Sequence, residues 1–268
     1  MKDYLAIIIS AFSASWISKK VVEPFNKIDL EAPETSDVYE ELKPFTKRIA
    51  EENFEKSQRE ELRQQFTANV SHELKTPLTS ISGFAEILKN GGTDETTTKD
   101  FACSIYDESQ RMITLVNDII KLSKLDEKSI SLEKEAISLR DMCRDIMSSL
   151  HASAFSKNIT INLNGDSGLI NGVQPVIYEM VYNLVDNAIK YNNTNGTVEI
   201  SIKNLIDTNR VILTVKDSGI GIPDNEKDRI FERFYRIDKS RSKQNGGTGL
   251  GLSIVKHAAK YHNASILL

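Results

Sequence analysis

The sequence has few cysteines, and the two it has, Cys103 and Cys143, form no CxxC pair. Both fall inside helical patterns, so they read as small, buried or half-buried thiols rather than a zinc or redox centre. That usage is compatible with a reducing compartment. No GxxxxGK[ST] occurs, which excludes a Walker phosphate loop. No GxGxxG opens an early βαβ unit, which disfavours a dinucleotide-binding fold. Neither sign of charge is in excess: 34 basic residues face 38 acidic ones, for a net charge of −4. The electrostatic case for nucleic-acid binding is therefore missing. Long apolar runs are missing as well. Tyr4–Ile17 is uncharged, but a helix of that length reaches only about 21 Å, against a hydrocarbon core of about 30 Å. It has no small-residue cleavage site of secretory type. It reads as the cytoplasmic end of an incomplete membrane helix, with Trp16 at the interface and Lys19 and Lys20 inside. An ordinary partner-packing helix is the alternative.

What is present is the composition of a globular protein, 40% hydrophobic and 27% charged, over 268 residues. That is enough for two modest domains or one large one. Asn26–Ser36 is polar, contains Pro33 and reads as a linker. From about Val38 to Lys89, apolar residues recur every three or four: Leu62, Phe66, Val70, Leu74, Leu78, Ile81, Phe84 and Leu88. Asn90-Gly91-Gly92 stops this helix, and 93–98 offers N-caps for a second one reaching about Leu125. Two helices with a short Gly-containing loop make a hairpin. Each carries one apolar stripe, half of a four-helix core, so a dimer is the natural completion.

After Asp126 the texture changes. The pattern predicts a helix near 139–155, a strand at 159–163, a helix over 174–191, and strands at 198–205 and 211–216 turning at Asp207-Thr208-Asn209. A long polar segment, 223–247, suits a functional lid. A last helix runs from about Thr248 to Tyr261. Helices among antiparallel-looking strands suggest an α/β sandwich, and with the hairpin an α+β chain.

Four motifs here carry chemistry. Asn183, Asn187 and Lys190 share one helix face. Asparagine oxygens suit a metal already bound to phosphates, and a lysine suits phosphate. Taken alone, this is as well explained by a solvated polar face. Asp217-Ser218-Gly219-Ile220-Gly221-Ile222 follows a strand; its carboxylate can accept from an adenine amine, and its glycines let a base approach the backbone. Phe231-Glu232-Arg233-Phe234-Tyr235-Arg236 lies in the lid, where a hydrophobic staple is the plainer reading. Gly246-Gly247-Thr248-Gly249-Leu250-Gly251 opens the last helix, a setting that favours anions. Far upstream, Ser71-His72-Glu73-Leu74-Lys75-Thr76-Pro77-Leu78 sets an imidazole beside a carboxylate on a long polar helix.

The order of these motifs resembles that of the sensor histidine kinases of two-component signalling, over roughly Phe66 to Ala264. SHELKTPL resembles their H-box, Asn183–Tyr191 the N-box, DSGIGI the G1 box, FERFYR the F-box and GTGLGL the G2 box. Within the family the phosphate-sensor and cell-wall-sensor kinds are the nearest in look. The resemblance implies a partial transmembrane helix (1–20), a linker or signalling helix (21–60), a dimerisation and phosphotransfer hairpin forming a dimeric four-helix bundle (61–127), and an α/β-sandwich ATP-binding domain of the GHKL (Bergerat) type (133–268). It implies that His72 accepts a phosphoryl group from ATP, with Glu73 taking or sharing its proton. By the same resemblance, Thr76 positions water for dephosphorylating a partner, Asn183 ligates Mg²⁺ with Asn187 beside it, and Lys190 and Arg236 meet phosphates. Tyr191 lies against the nucleotide, Asp217 reads adenine, and Gly219, Gly221, Gly247, Thr248, Gly249, Leu250 and Gly251 frame the lid. The implied partners are a second copy of the chain, the receiver domain of a response regulator, and the cytoplasmic membrane of a bacterium through the N-terminal segment, with the kinase domains in the cytoplasm and no nucleic acid. Pro77 removes a helix hydrogen bond just after His72, which is expected to ease bending there. The family's ATPase domain runs through two strands after its last helix, so a sequence ending in Asn-Ala-Ser-Ile-Leu-Leu is expected to fall short of the second. Rival readings are an ATP-driven machine of the GHKL group and a non-enzymatic scaffold. The histidine-bearing hairpin argues against the first.

Overall fold

The computed structural model describes residues 12–16, 18–19, 43–126, 133–238 and 247–268. Most of the apolar N-terminal stretch, the linker over 26–36 and the middle of the lid lie outside the described residues. Among the described residues, no helix is long and apolar enough to cross a membrane. The chain divides into two compact units, Met1–His72 and Glu73–Leu268.

Helix α1, Lys43–Asn90, runs unbroken through Pro77. In the first unit its surface is laced by one-turn ion pairs, Arg48–Glu52 and Glu55–Arg59, both at 3.1 Å and both exposed. Each such pair adds only a few tenths of a kcal/mol, about 0.3–0.5. In the second unit, Asp94 accepts from the Thr97 amide at 2.7 Å and so caps helix α2, Glu95–Asp126. That bond holds the Asp94 carboxyl below the usual carboxylate range. Phe84 and Phe101 stack across the hairpin at 5.1 Å. Much of the hairpin's apolar stripe stays uncovered within one chain: Leu78, Ile87, Ile113, Val116 and Ile120 are all exposed.

The remainder is a layered α/β fold. Strand β1, Glu135–Ser138, leads into α3, Leu139–Ser149, and a short α4, His151–Ser156. Strands β2, Thr160–Gly165, and β3, Leu169–Gly172, precede α5, Gln174–Lys190. Strands β4, Thr197–Leu205, and β5, Arg210–Asp217, precede α6, Gly251–Tyr261. The main sheet has the order β2-β4-β5. Val198, Ile200 and Ile202 of β4 alternate into a core shared with Ile146 of α3 and with Val181, Val185 and Ile189 of α5. Each fully buried Val or Ile contributes about 1.5–3 kcal/mol.

Several expectations change. The strands are not all antiparallel: β2 pairs parallel with β4, from Thr160↔Thr197 to Gly165↔Ile202. That pairing is possible because α5 is the crossover between them. Strands β1 and β3 form a separate antiparallel pair that the sequence pattern did not show, since four residues are too few for alternation to stand out. The expected helix over 139–155 breaks at Leu150, and the last helix starts at Gly251 rather than Thr248. Residues 264–268 carry no regular secondary structure.

His262, at the end of α6, clasps the start of α5. Its Nδ1–H donates to the Ala258 carbonyl at 3.0 Å, which leaves Nε2 to accept from the Val173 amide at 3.1 Å. Val173 is the buried N-cap of α5, with no side-chain cap of its own. A buried amide left without an acceptor costs about 1–3 kcal/mol. His262→Ala is therefore expected to lower the unfolding free energy by about that amount, read as an earlier midpoint in urea.

Candidate functional site

Helix α5 buries Val176, Ile177, Val181, Val185, Ala188 and Ile189, which turns Asn183, Asn187 and Lys190 to its other face. Asn183 Nδ2 donates to the Glu179 carbonyl at 2.8 Å. This fixes the amide so that Oδ1 points at the first residue of α6. A Cβ on Gly251 would stand 2.7 Å from that oxygen and 3.8 Å from Asn187 Nδ2. Glycine at 251 thus leaves room for the Asn183 amide oxygen at the start of α6. Lys190 is drawn to Asp186 at 2.7 Å, along the same helix face. Lys157, which the sequence reading passed over, donates to the carbonyls of Ile189 and Lys190 and so caps the C-terminus of α5.

Asp217 ends β5 and is exposed. Its Oδ1 accepts from the Gly219 amide at 2.8 Å, an Asx turn that leaves the other oxygen outward. A Cβ on Gly219 would meet the Tyr191 carbonyl at 2.5 Å, so the turn is pressed against the end of α5. Gly221 lies beyond it with φ +69°.

The F-box and G2 segments interlock. Phe234 donates from its amide to the Gly249 carbonyl at 2.9 Å. Gly249 has φ +74°, and a Cβ there would sit 2.8 Å from the Phe234 backbone. Phe234 itself is held at φ +64°, a left-handed conformation that a bulky residue adopts only under constraint. Arg233 bonds His257 Nε2 at 3.0 Å, and His257 Nδ1–H donates to the Ser253 carbonyl.

Arg236 is 8% exposed, and its Nη2 donates to Glu73 Oε2 at 2.9 Å and to the Thr248 carbonyl at 3.0 Å. Among the described residues its Nε is buried without a partner. Thr248 Oγ1 donates to Asp118 Oδ2 at 2.7 Å and accepts from the Leu250 amide at 3.3 Å. Burial pushes the Asp118 carboxyl up, opposed by the Thr248 hydroxyl and by the charges of Lys121 and Lys190. One turn along α2, Lys121 pairs with Glu179 at 2.9 Å. Asp118, Lys121 and Glu179 were missed in the sequence because their partners are far away in the chain. The structure thus brings Glu73, Arg236 and Thr248 together, and separately Asn183, Asn187 and Gly251. His72 and Thr76 are exposed on α1, while Gly247, Tyr191 and Gly251 are half-buried and Leu250 is buried.

One of the two cysteines departs from the expected burial. Cys103 is exposed, and burial pushes the Cys143 thiol up to about 11. Among the described residues no group of three or more His, Cys, Asp or Glu could hold a metal ion. A magnesium site built from an asparagine oxygen and nucleotide phosphates does not require one.

Two family models match this chain. "His Kinase A (phospho-acceptor) domain" matches residues 62–128, and "Histidine kinase-, DNA gyrase B-, and HSP90-like ATPase" matches 172–268. The sensor protein kinase WalK of Staphylococcus aureus is 38% identical over 79% of this chain and 51% of that protein. The chain thus spans about half the length of this relative, and 35% of the WalK of strain JH9. Among solved structures, histidine kinase ThkA in complex with response regulator TrrA superposes with a TM-score of 0.58 at 28% identity, covering 75% of this chain and 57% of that one. Acinetobacter baumannii histidine kinase AdeS shares the fold, with a TM-score of 0.54 at 24% identity over 70% of this chain and 86% of that one. Carrying a histidine phosphoacceptor domain and a histidine kinase-type ATPase domain on one polypeptide, the chain belongs to the sensor histidine kinases.

Proposed function

We propose that this protein transfers the γ-phosphoryl group of ATP to His72 and then to an aspartate of a response-regulator receiver domain. The observation that carries the reading is the cradle at the start of α6, where Gly251 leaves Asn183 Oδ1 open beside Asn187. An imidazole nitrogen of His72 attacks the γ-phosphorus, the bond to the bridging oxygen breaks, and ADP leaves. The ring proton passes to Glu73, the next residue. Asn183 would hold Mg²⁺, which neutralises charge on the phosphates. Asp217 reads the adenine amine, Tyr191 lies against the nucleotide, and the 247–251 segment closes over the phosphates. Lys190 and Arg236 supply positive charge once released from Asp186 and Glu73. A receiver-domain partner is supported by the ThkA–TrrA complex. A second copy of the chain would cover the exposed stripe of the hairpin, and the N-terminal segment would attach it to the bacterial cytoplasmic membrane.

The test is incubation with Mg²⁺ and γ-labelled ATP, followed by acid or alkali. Phosphohistidine is lost in acid and kept in alkali; the absence of such label on the wild-type chain would refute the reading. Thr76, one turn beyond His72, would orient water for removing phosphate from the regulator. Pro77 is buried in an unbroken helix, yet it cannot donate to the Glu73 carbonyl. Pro77→Ala is expected to shift the ratio of kinase to phosphatase activity several-fold, a change of about 1 kcal/mol in the balance of two states. Parallel assays of the two activities check it.

A further inference from the structure

The loop that presents Asp217 is braced by side chains outside any of the motif glycines. Ser218 is engaged at every polar atom. Its amide donates to the Thr197 carbonyl at 3.1 Å, and its carbonyl accepts from Asn193 Nδ2 at 2.9 Å. Its hydroxyl accepts from the Thr197 amide at 2.8 Å and donates to Asn192 Oδ1 at 3.1 Å. Asn192 in turn sends Nδ2 to the Thr197 carbonyl at 3.0 Å, and its Oδ1 also takes the Asn193 amide at 2.9 Å. Three elements meet here: the end of α5, the start of β4 and the end of β5.

The β4–β5 ladder runs from Leu205↔Arg210 to Val198↔Asp217, and Ser218 lies just beyond it, opposite Thr197. The backbone rung at this point is only half made: the Ser218 amide reaches the Thr197 carbonyl. The Thr197 amide goes to the Ser218 hydroxyl, while the Ser218 carbonyl accepts from Asn193 Nδ2. The chain then turns sharply, and the Gly219 amide closes on Asp217 Oδ1. The Ile220 amide finishes the turn on the Tyr191 carbonyl at 3.3 Å. With Oδ1 engaged in the turn, Oδ2 is the oxygen of Asp217 with both lone pairs to offer a ligand, and its direction is set by this turn.

We infer that Ser218 and Asn192 are positioning residues for adenine selection, aiming the free carboxylate oxygen of Asp217 at the exocyclic amine. This rests on the reading that Asp217 accepts from that amine. Neither side chain touches the base. Removing the Ser218 hydroxyl leaves the Thr197 amide without its acceptor and takes one of two donors from Asn192 Oδ1, so the turn relaxes and the carboxylate loses its aim. A charge-assisted hydrogen bond that forms only in correct geometry is the contact most sensitive to such a change.

The experiment compares ATP with purine riboside triphosphate, which lacks the amine, by direct titration of the full chain. Wild type is expected to prefer ATP by about tenfold or more. Ser218→Ala is expected to lose most of that preference, because affinity for ATP falls while affinity for the analogue is nearly unchanged. Ser218→Thr, which keeps the hydroxyl, is expected to restore it. Asn192→Ala removes the other half of the brace and is expected to move the ratio in the same direction. A Ser218→Ala protein that weakens for both nucleotides equally, or for neither, overturns the positioning role while leaving Asp217 as the amine acceptor. A wild type that does not distinguish the two nucleotides removes the Asp217 reading itself.

Discussion

His72→Gln is expected to abolish all acid-labile label from γ-labelled ATP while leaving nucleotide affinity unchanged. The imidazole is the only group at this position that is nucleophilic near neutral pH. A glutamine amide nitrogen is not basic, so no slower route through the same residue remains. The exchange is benign for the fold. Position 72 is exposed on a long helix, and glutamine is a good helix former. Loss of label with an unaltered ATP titration separates failure of the acceptor from failure of the donor site. Label that persists on the variant would place the acceptor elsewhere.

Gly251→Ala is expected to remove autophosphorylation by about a hundredfold at fixed ATP, with little change in stability. The added Cβ would stand 2.7 Å from Asn183 Oδ1, too close for both to stay. The atom that yields is the end of a flexible side chain, so the helices need not move. Alanine at the first turn of α6 also favours helix. What is displaced is the oxygen proposed to ligate magnesium, and disturbing a ligand's support typically costs about 10- to 100-fold. Thermal unfolding together with an ATP titration checks it. A variant that unfolds early, or binds MgATP normally, contradicts this account of the cradle.

The sequence reading and the structure agree where the signal is local. The helix stop at Asn90-Gly91-Gly92, the helix over 174–190 and the turn at Asp207-Thr208-Asn209 each depend on residues a few positions apart. The candidate ligands on α5 were legible because a 3.6-residue period sorts Asn183 and Asn187 away from Val181 and Val185. Direction of pairing was not legible. Nothing in Thr160–Gly165 says that its partner is β4 or that the two run parallel, because the strand pattern is the same either way. Nor was the ring of contacts around Arg236. Its partners Glu73 and Thr248 lie 163 residues before it and 12 after it, separations at which spacing carries no information.

The mixed sheet has a consequence in time. Strands β4 and β5 are joined by a short turn, so that hairpin closes early, on a microsecond scale of about 1–10 μs. Strand β2 joins only across a crossover containing β3 and α5, a far longer loop to close. Long-range parallel pairing of this kind forms slowly. Asp217 rides on the early hairpin, whereas Asn183 and Asn187 ride on the crossover. On refolding, the strand that ends in Asp217 is therefore paired before the crossover carrying Asn183 and Asn187 is closed, and the two come into register only when β2 docks.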